Sequence, residues 1–193
     1  MNYPINLISD TVTKPSKGML EAMMKAQVGD DVFREDPTVI ELEERIAGMF
    51  GMQAGLFCPS GTMTNQIAIK AHTRPLDEMI CDINSHVYQF EVGGYAFHSQ
   101  IAINPLIGKN GILNANLVKE NIKPLFDWLP RTKLVVIENS SNRTGGNCYS
   151  LLQIQELSRL CRSEGLAFHL DGARIFNALS ATGIKSGELG PLF

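Results

Sequence analysis

Short apolar segments alternate with amphipathic segments along most of this chain of 193 residues, and that alternation limits the possible folds most strongly. The runs with the character of buried strands cover residues 54–58, 79–81, 101–104, 134–137 and 166–170. Between them lie longer segments with helical spacing of apolar residues. Such alternation indicates βαβ units, because parallel strands need a long crossover connection. The sequence therefore predicts a doubly wound α/β fold, with a mostly parallel sheet and helices on both faces.

The best-defined predicted helix has recognisable residues at both ends. Asp36 is a typical N-cap residue, Pro37 suits the first helical position, and Gly51 is a typical helix stop. The apolar residues between them recur at helical spacing, so one face of this helix is expected to pack in the core. The other predicted helices cover residues 21–27 and 151–162, and a further helix follows Thr62 and carries Met63, Ile67, Ala68 and Ala71.

Composition and charge exclude several classes of function. The chain is 44% apolar and 19% charged, which is typical of a soluble globular protein. A net charge of −3 gives no electrostatic basis for binding nucleic acid or an anionic membrane. No apolar run approaches the roughly 20 residues of a membrane span, and no secretory signal pattern is present. Its four cysteines form no CxxC pair, so we expect reduced thiols, no metal site and a cytoplasmic location.

Asp171 and Arg174 directly follow the strand predicted over residues 166–170. Ligands of open α/β sheets bind beyond the carboxyl ends of the strands, so chemistry is expected here. A carboxylate can pair with a protonated ring nitrogen, and a guanidinium can hold a phosphate or a carboxylate. The competing interpretation is a surface ion pair, which is common and contributes little.

Two further motifs follow predicted strands. The Ser60-Gly61-Thr62 turn leads into a helix, where free backbone N–H groups and hydroxyls favour a phosphate. The competing interpretation is that Ser60 or Thr62 is simply the helix cap. His86 follows the strand at residues 79–81 and offers a flat ring, although a lone histidine often just bonds to the backbone. The P-loop and GxGxxG patterns are absent. Together, a phosphate cradle, a flat ring and a carboxylate describe a pyridoxal-phosphate site.

The order and spacing of these motifs resemble the threonine aldolase family, which belongs to the β-eliminating lyase group of pyridoxal-phosphate enzymes. The motifs that carry the resemblance are SDTVT (9–13), VGDDV (28–32), EDPT (35–38), PSGTMTNQ (59–66), SH (85–86), EVGG (91–94), EN (138–139) and HLDGAR (169–174). The resemblance implies that the chain forms the large domain of the type I fold, which is the fold of pyridoxal-phosphate-dependent transferases. It extends over essentially the whole chain.

The resemblance assigns roles to the residues already singled out. Ser60, Gly61 and Thr62 would hold the cofactor phosphate. His86 would stack on the pyridine ring and take part in catalysis, and Asp171 would keep the ring nitrogen protonated so that the ring withdraws electrons. The expected reaction is cleavage of L-threonine or L-allo-threonine to glycine and acetaldehyde.

The resemblance also implies how substrate and subunits are arranged. Arg174 and Ser9 would bind the substrate carboxylate, and Arg174 also belongs to the expected cofactor-binding set. Residues 1–36 would form an N-terminal arm at the interface of a homo-oligomer, either a dimer or a tetramer. Residues 37–193 would form the cofactor-binding large domain, incomplete at its C-terminal end and lacking the small C-terminal domain.

The chain departs from the family pattern at several positions. The Schiff-base lysine of this family follows the DGAR motif at a distance that places it beyond Phe193, so no residue of this chain is expected to fill that role. Two lysines within the chain do not suit this role. Lys17 lies in a Ser-Lys-Gly tripeptide, but in the N-terminal arm and outside any strand–turn context, and Lys185 is expected to be a surface lysine. Trp128 and Ser141 stand where the family usually has histidines.

Three interpretations remain open from the sequence. The chain is the N-terminal portion of a lyase of the threonine aldolase type, inactive without the lysine. Alternatively, it is a non-catalytic remnant or interaction fragment, or it is related to a lyase or transaminase that acts on another amino acid.

Overall fold

The computed structural model describes residues 5–193 and contains one four-stranded parallel sheet. Its strands are β1 (Asp77–Asp82), β2 (Ala102–Leu106), β3 (Arg131–Glu138) and β4 (Ala167–Asp171), arranged in the order β2-β1-β3-β4. The chain therefore winds to one side of β1 and then returns to the other side. That reversal opens a crevice at the carboxyl ends of β1 and β3, where ligands of such sheets bind.

Helices cover both faces of the sheet. They are α1 (Lys17–Lys25), α2 (Pro37–Phe50), α3 (Gly61–His72), α4 (His86–Gln89), α5 (Gly94–His98), α6 (Ala115–Glu120), α7 (Leu151–Glu164), α8 (Ile175–Thr182) and α9 (Ser186–Leu189). Short 3-10 turns occur at Asp10–Val12, Asp31–Phe33 and Gly190–Leu192. The predicted α/β class, with a parallel sheet between helices, is confirmed. No helix in the described part of the chain is both long enough and apolar enough to span a bilayer.

Alternation along the strands divides the core into two layers, because successive side chains of a strand point to opposite faces. Ile80 of β1 and Val135 of β3 pack with α6, α7 and α8, whereas their neighbours Met79 and Val136 pack with α3 and α4. All four side chains are completely buried. Strands buried on both faces read as continuous apolar runs, which is why the sequence pattern located them.

The helix ends follow the capping residues. Asp36 accepts hydrogen bonds from the N–H groups of Thr38 and Val39, Pro37 is the first residue of α2, and Gly51 ends it at φ 66°. The predicted ends of α2 are therefore confirmed. The helix predicted over residues 21–27 instead covers Lys17–Lys25, because the Ser16 hydroxyl caps it four residues earlier.

Residues 54–58 do not form a strand, and that prediction is wrong. The segment packs against α2: the Phe57 N–H donates to Oε1 of Glu43 over 2.8 Å. A Cβ at Gly55 would lie 2.7 Å from the Glu43 carbonyl oxygen, so only glycine allows this approach. An apolar run becomes a strand only when a neighbouring strand takes up its backbone groups, and no described strand lies beside this one.

We predict that Leu157→Ala lowers the free energy of unfolding by about 3 kcal/mol, because it deletes a fully buried side chain from the α7 core face. Leu152→Ala, on the same helix but 59% exposed, is the matched control and is expected to change it by less than about 0.5 kcal/mol. Urea unfolding followed by circular dichroism measures both. Equal losses in the two variants would contradict the assigned core face.

Candidate functional site

A cleft of about 390 Å³ lies where β3 and β4 end and α3 and α4 begin. Every site residue proposed from the sequence lines it: Ser9, Ser60, Gly61, Thr62, His86, Asp171 and Arg174. The lining also contains Asp10, Thr11, Asn65, Glu138, Asn142 and Ala173. The structure therefore brings together residues separated by up to most of the chain length. His86 and Asp171 meet because they follow or end parallel strands, as predicted, whereas Ser9 and the Ser60–Thr62 turn follow no strand of the described sheet. Their individual roles stay predictions.

The Ser60-Gly61-Thr62 turn forms the N-terminus of α3. The Ser60 hydroxyl accepts the Met63 N–H over 3.2 Å, so the capping interpretation is correct for this residue. Among the described residues, the N–H groups of Gly61 and Thr62 have no hydrogen-bond acceptor. A Cβ at Gly61 would meet no atom within 4 Å, so the space beside this backbone is open. Free N–H groups at the start of a helix form a ready anion site.

Asp171 forms part of the cleft floor and is only 6% exposed. Its Oδ1 accepts the Ala173 N–H over 3.2 Å, and its Oδ2 accepts the Asn65 side-chain amide over 2.9 Å. The Asp171 carbonyl accepts the Asn139 N–H over 3.0 Å, which continues the β3–β4 pairing to the cleft. The carboxylate is thus rigidly held at a strand end.

Asn65 joins two buried carboxylates that come from different parts of the chain. Its Nδ2 donates to Asp171 and also, over 2.8 Å, to Oε1 of Glu91. Its Oδ1 lies 3.0 Å from Nε2 of His169. Only this orientation of the amide satisfies both carboxylates, so His169 must donate from Nε2. Burial lowers the pKa of His169 to about 4, which keeps its ring neutral at ordinary pH.

His86, Glu91 and Asp171 place donor atoms within 4.8 Å of one another, as the ligands of a metal ion would be placed. The Asn65 NH₂ group, however, donates to both of these carboxylates. The N–H groups of this amide satisfy the two carboxylate oxygens that a cation would otherwise bind. In this structure the cluster is a hydrogen-bonded network.

His86 is held at both its backbone and its ring. Its backbone N–H donates to Oε2 of Glu138 over 2.8 Å, and its Nδ1 lies 2.9 Å from Oε1 of Glu91. The ring also lies against Phe90, with 5.2 Å between ring centroids. Burial raises the pKa of Glu138, although two backbone N–H groups, from His86 and Asn142, oppose that effect. The histidine is fixed in position while 37% of its side chain stays exposed in the cleft.

Arg174 makes a bidentate ion pair with Asp10. Its Nε and Nη2 donate to the two carboxylate oxygens over 2.7 Å each. This hydrogen bonding lowers the pKa of Asp10 and raises that of Arg174. The guanidinium has five N–H donors, so those not used by Asp10 remain available to an anionic group in the cleft. The adjacent Ser9 lines the same part of the cleft.

Several positions noted in the sequence lie outside the cleft lining. Trp128 is 74% exposed and stacks on Phe126, with ring centroids 4.8 Å apart. Ser141 is buried and pairs through its backbone with Asn147. No lysine lines the cleft within residues 5–193.

Five residues in or beside the cleft were not predicted from the sequence as functional: Asp10, Asn65, Glu91, Glu138 and His169. Each of them lies inside a motif that carries the family resemblance. Membership of these motifs was the only sequence pattern that could have indicated them. The role of a buried polar side chain becomes clear only from its hydrogen-bond partner, and here the partners are distant in the sequence.

The beta-eliminating lyase family model matches residues 6–191, which is nearly the whole chain. The chain belongs to the beta-eliminating lyase family. This family depends on pyridoxal phosphate, and threonine aldolases are among its members.

Curated relatives agree with this assignment. The low-specificity L-threonine aldolase of Escherichia coli K12 is 41% identical over 186 residues, which cover 96% of this chain and 55% of that protein. The enzyme of the same name from Saccharomyces cerevisiae is 38% identical over 192 residues, covering 97% of this chain and 49% of that protein. The chain thus spans about half the length of the curated relatives it matches.

Solved structures support the same fold. A threonine aldolase from Leishmania major superposes with a TM-score of 0.76 at 23% identity, covering 90% of this chain and 51% of that one. An L-allo-threonine aldolase homologue from Listeria monocytogenes superposes with a TM-score of 0.74 at 25% identity, covering 90% of this chain and 48% of that one. The predicted type I large domain is confirmed, and the chain covers only part of it.

We predict that His169 makes the protein less stable as the pH falls from about 6.5 to about 4. The folded-state pKa of about 4 lies below the unfolded value of 6.5, so the unfolded chain binds more protons in that interval. The loss is about 3 kcal/mol across the interval. His169→Gln keeps an N–H donor for Asn65 and is expected to remove this part of the pH dependence.

Urea unfolding at several pH values between 4 and 7 measures the effect. His98→Gln is the control, because His98 is exposed and the same substitution there should leave the pH dependence intact. A parental pH dependence retained in His169→Gln would show that His169 is not kept neutral by the fold.

Proposed function

We propose that the cleft binds pyridoxal phosphate and that the whole protein cleaves L-threonine or L-allo-threonine to glycine and acetaldehyde. The observation that carries the proposal is that one cleft contains both a group that attracts a cation and groups that attract an anion. A buried carboxylate, Asp171, lies at a strand end, and two free N–H groups of α3 lie on the same lining. A ligand with a cationic ring nitrogen and an anionic phosphate matches both.

The donor set fits the cofactor. The free N–H groups and hydroxyls of the Ser60–Thr62 turn suit a phosphate, and the half-exposed ring of His86 suits a flat aromatic ring. Asp171 receives only N–H donors from the protein, so its charge is available to a protonated ring nitrogen. When bound, pyridoxal phosphate supplies a ring that withdraws electrons from the α-carbon of an amino acid.

The remaining residues of the cleft suit a β-hydroxy amino acid. The free N–H groups of Arg174 and the hydroxyl of Ser9 would bind its carboxylate. The exposed ring of His86 would accept the proton of its hydroxyl, for which a histidine is well suited near neutral pH. For this chain, whose lysines lie away from the cleft, we propose cofactor binding without turnover.

A second candidate is a related lyase or transaminase that acts on another amino acid. It is favoured by Trp128, which takes the place of a family histidine and stacks on Phe126 outside the cleft lining. The two candidates differ in their products. Glycine release from L-threonine and L-allo-threonine, compared with other amino acids in a form of the protein that carries the lysine, distinguishes them.

We further propose that the protein is a cytoplasmic homo-oligomer in which residues 1–36 form an interface arm; residues 1–4 of that arm lie outside the described part of the chain. Support comes from α1, which buries none of its residues although it carries large apolar side chains. Exposed apolar surface of this kind favours association. The exposed apolar residues of α1 are Met19, Leu20, Met23 and Met24.

We predict that Asp171→Asn weakens pyridoxal-phosphate binding roughly ten- to a hundredfold, because a neutral amide cannot stabilise a pyridinium charge. Asp36→Asn is the matched control. Asp36 is also buried and also accepts backbone N–H groups, but it lies outside the cleft lining. Isothermal titration calorimetry with the cofactor measures all three proteins. Equal affinity of parent and Asp171→Asn would argue against the assigned role of this carboxylate.

A further inference from the structure

Glu91 is the most deeply enclosed carboxylate beside the cleft, with none of its side chain exposed. It lies in the turn between α4 and α5, where the Gly94 N–H bonds to the Glu91 carbonyl over 2.9 Å. A Cβ at Gly94 would lie 2.7 Å from Cδ at the end of the Gln66 side chain, so the turn packs closely against α3 at this glycine. The neighbouring Val92 is completely exposed, which leaves Glu91 as the residue turned inward.

Three nitrogen atoms surround this carboxylate. Asn65 Nδ2 and His86 Nδ1 lie 2.8 and 2.9 Å from Oε1, and Gln66 Nε2 lies 2.5 Å from Oε2. A desolvated carboxylate is tolerable only when donors satisfy it. Two of the three are amide groups, which always carry protons. The third is an imidazole nitrogen, which carries one in only one of the two neutral tautomers.

We infer that Glu91 is a positioning residue that holds His86 in the Nδ1–H tautomer. Glu91 is acceptor-only when ionised, so Nδ1 must donate. The opposite tautomer would place the Nδ1 lone pair 2.9 Å from a carboxylate oxygen, where two acceptors repel each other. The second ring nitrogen, Nε2, has no hydrogen-bond partner in the described part of the chain, and it is left as the acceptor of the ring.

The surroundings of His86 agree with this arrangement. Glu138 accepts its backbone N–H, Phe90 lies against the ring, and the Arg143 guanidinium lies 5.4 Å from the centroid of the Phe90 ring. Asp171 is the third carboxylate in the neighbourhood. Because Glu91 is the one that reaches a ring nitrogen, it decides which nitrogen is free. This inference rests on the proposed function only in its consequence, which is that Nε2 receives the proton of a substrate hydroxyl.

The tautomer is measured directly by long-range proton–nitrogen correlation NMR of the ¹⁵N-labelled chain, at a pH where the ring is neutral and without cofactor. The signals of His86 are assigned from the spectrum that lacks them in His86→Gln. The expected result is a protonated Nδ1 and an unprotonated, pyridine-type Nε2. A protonated Nε2 in the parent would overturn the inference without any variant at Glu91.

Two substitutions separate positioning from mere packing. Glu91→Gln keeps a carbonyl acceptor for Nδ1, and Gln66 can turn its otherwise unbonded Oε1 toward the new amide, so the Nδ1–H tautomer should be retained. Glu91→Met fills a similar volume without an acceptor, and a substantial shift to the Nε2–H tautomer is expected. Gln66→Met is the control, because it removes a donor to Glu91 without touching His86, and the tautomer should not change.

A retained Nδ1–H tautomer in Glu91→Met would overturn the inference. Failure of the proposed function has a different signature, because loss of pyridoxal-phosphate binding leaves the tautomer of the cofactor-free chain unaffected. The two claims therefore fail independently.

Discussion

The side-chain amide of Asn65 is the contact on which the rest of the site depends. Its single NH₂ group donates to Asp171 at the end of β4 and to Glu91 in the turn after α4, and both carboxylates are buried. Without that donor, each of the two buried carboxylates would lose one of its hydrogen bonds, and a buried carboxylate is tolerable only when donors satisfy it. His169, kept neutral by burial, fixes the orientation of the amide from the other side. The floor of the cleft is therefore set before any ligand binds.

The parallel sheet supplies the frame for this contact. β1, β3 and β4 end at one edge, so Glu138 and Asp171 lie beside the start of α4 at His86. The apolar side chains of both core layers hold these strand ends in register, and the ends themselves carry polar residues. The polar side chains of the cleft thus lie where the apolar core ends. Glu138, Asp171 and His86 are each positioned by the end of a strand or the start of a helix, not by a loop.

Local sequence patterns predicted the parts of this structure that depend on neighbours in the chain. The caps of α2 and the strands β1 to β4 are of this kind, since capping and burial leave a mark within a few residues. Residues 54–58 were mispredicted, because an apolar run does not reveal whether a partner strand exists. Asp10, Asn65 and Glu91 escaped notice for a related reason. The bonds Asn65–Glu91, Asn65–Asp171 and Asp10–Arg174 join residues 26, 106 and 164 positions apart, and no local spacing encodes them.

The central claim is that this polar cleft is a pyridoxal-phosphate site, and a crystal structure of the chain grown with the cofactor tests it most directly. We predict that the phosphate lies at the free N–H groups of Gly61 and Thr62, with the ring beside His86 and its nitrogen within hydrogen-bonding distance of Asp171. Cofactor bound in another cavity, or bound in this cleft with its phosphate away from the α3 N-terminus, would contradict this assignment.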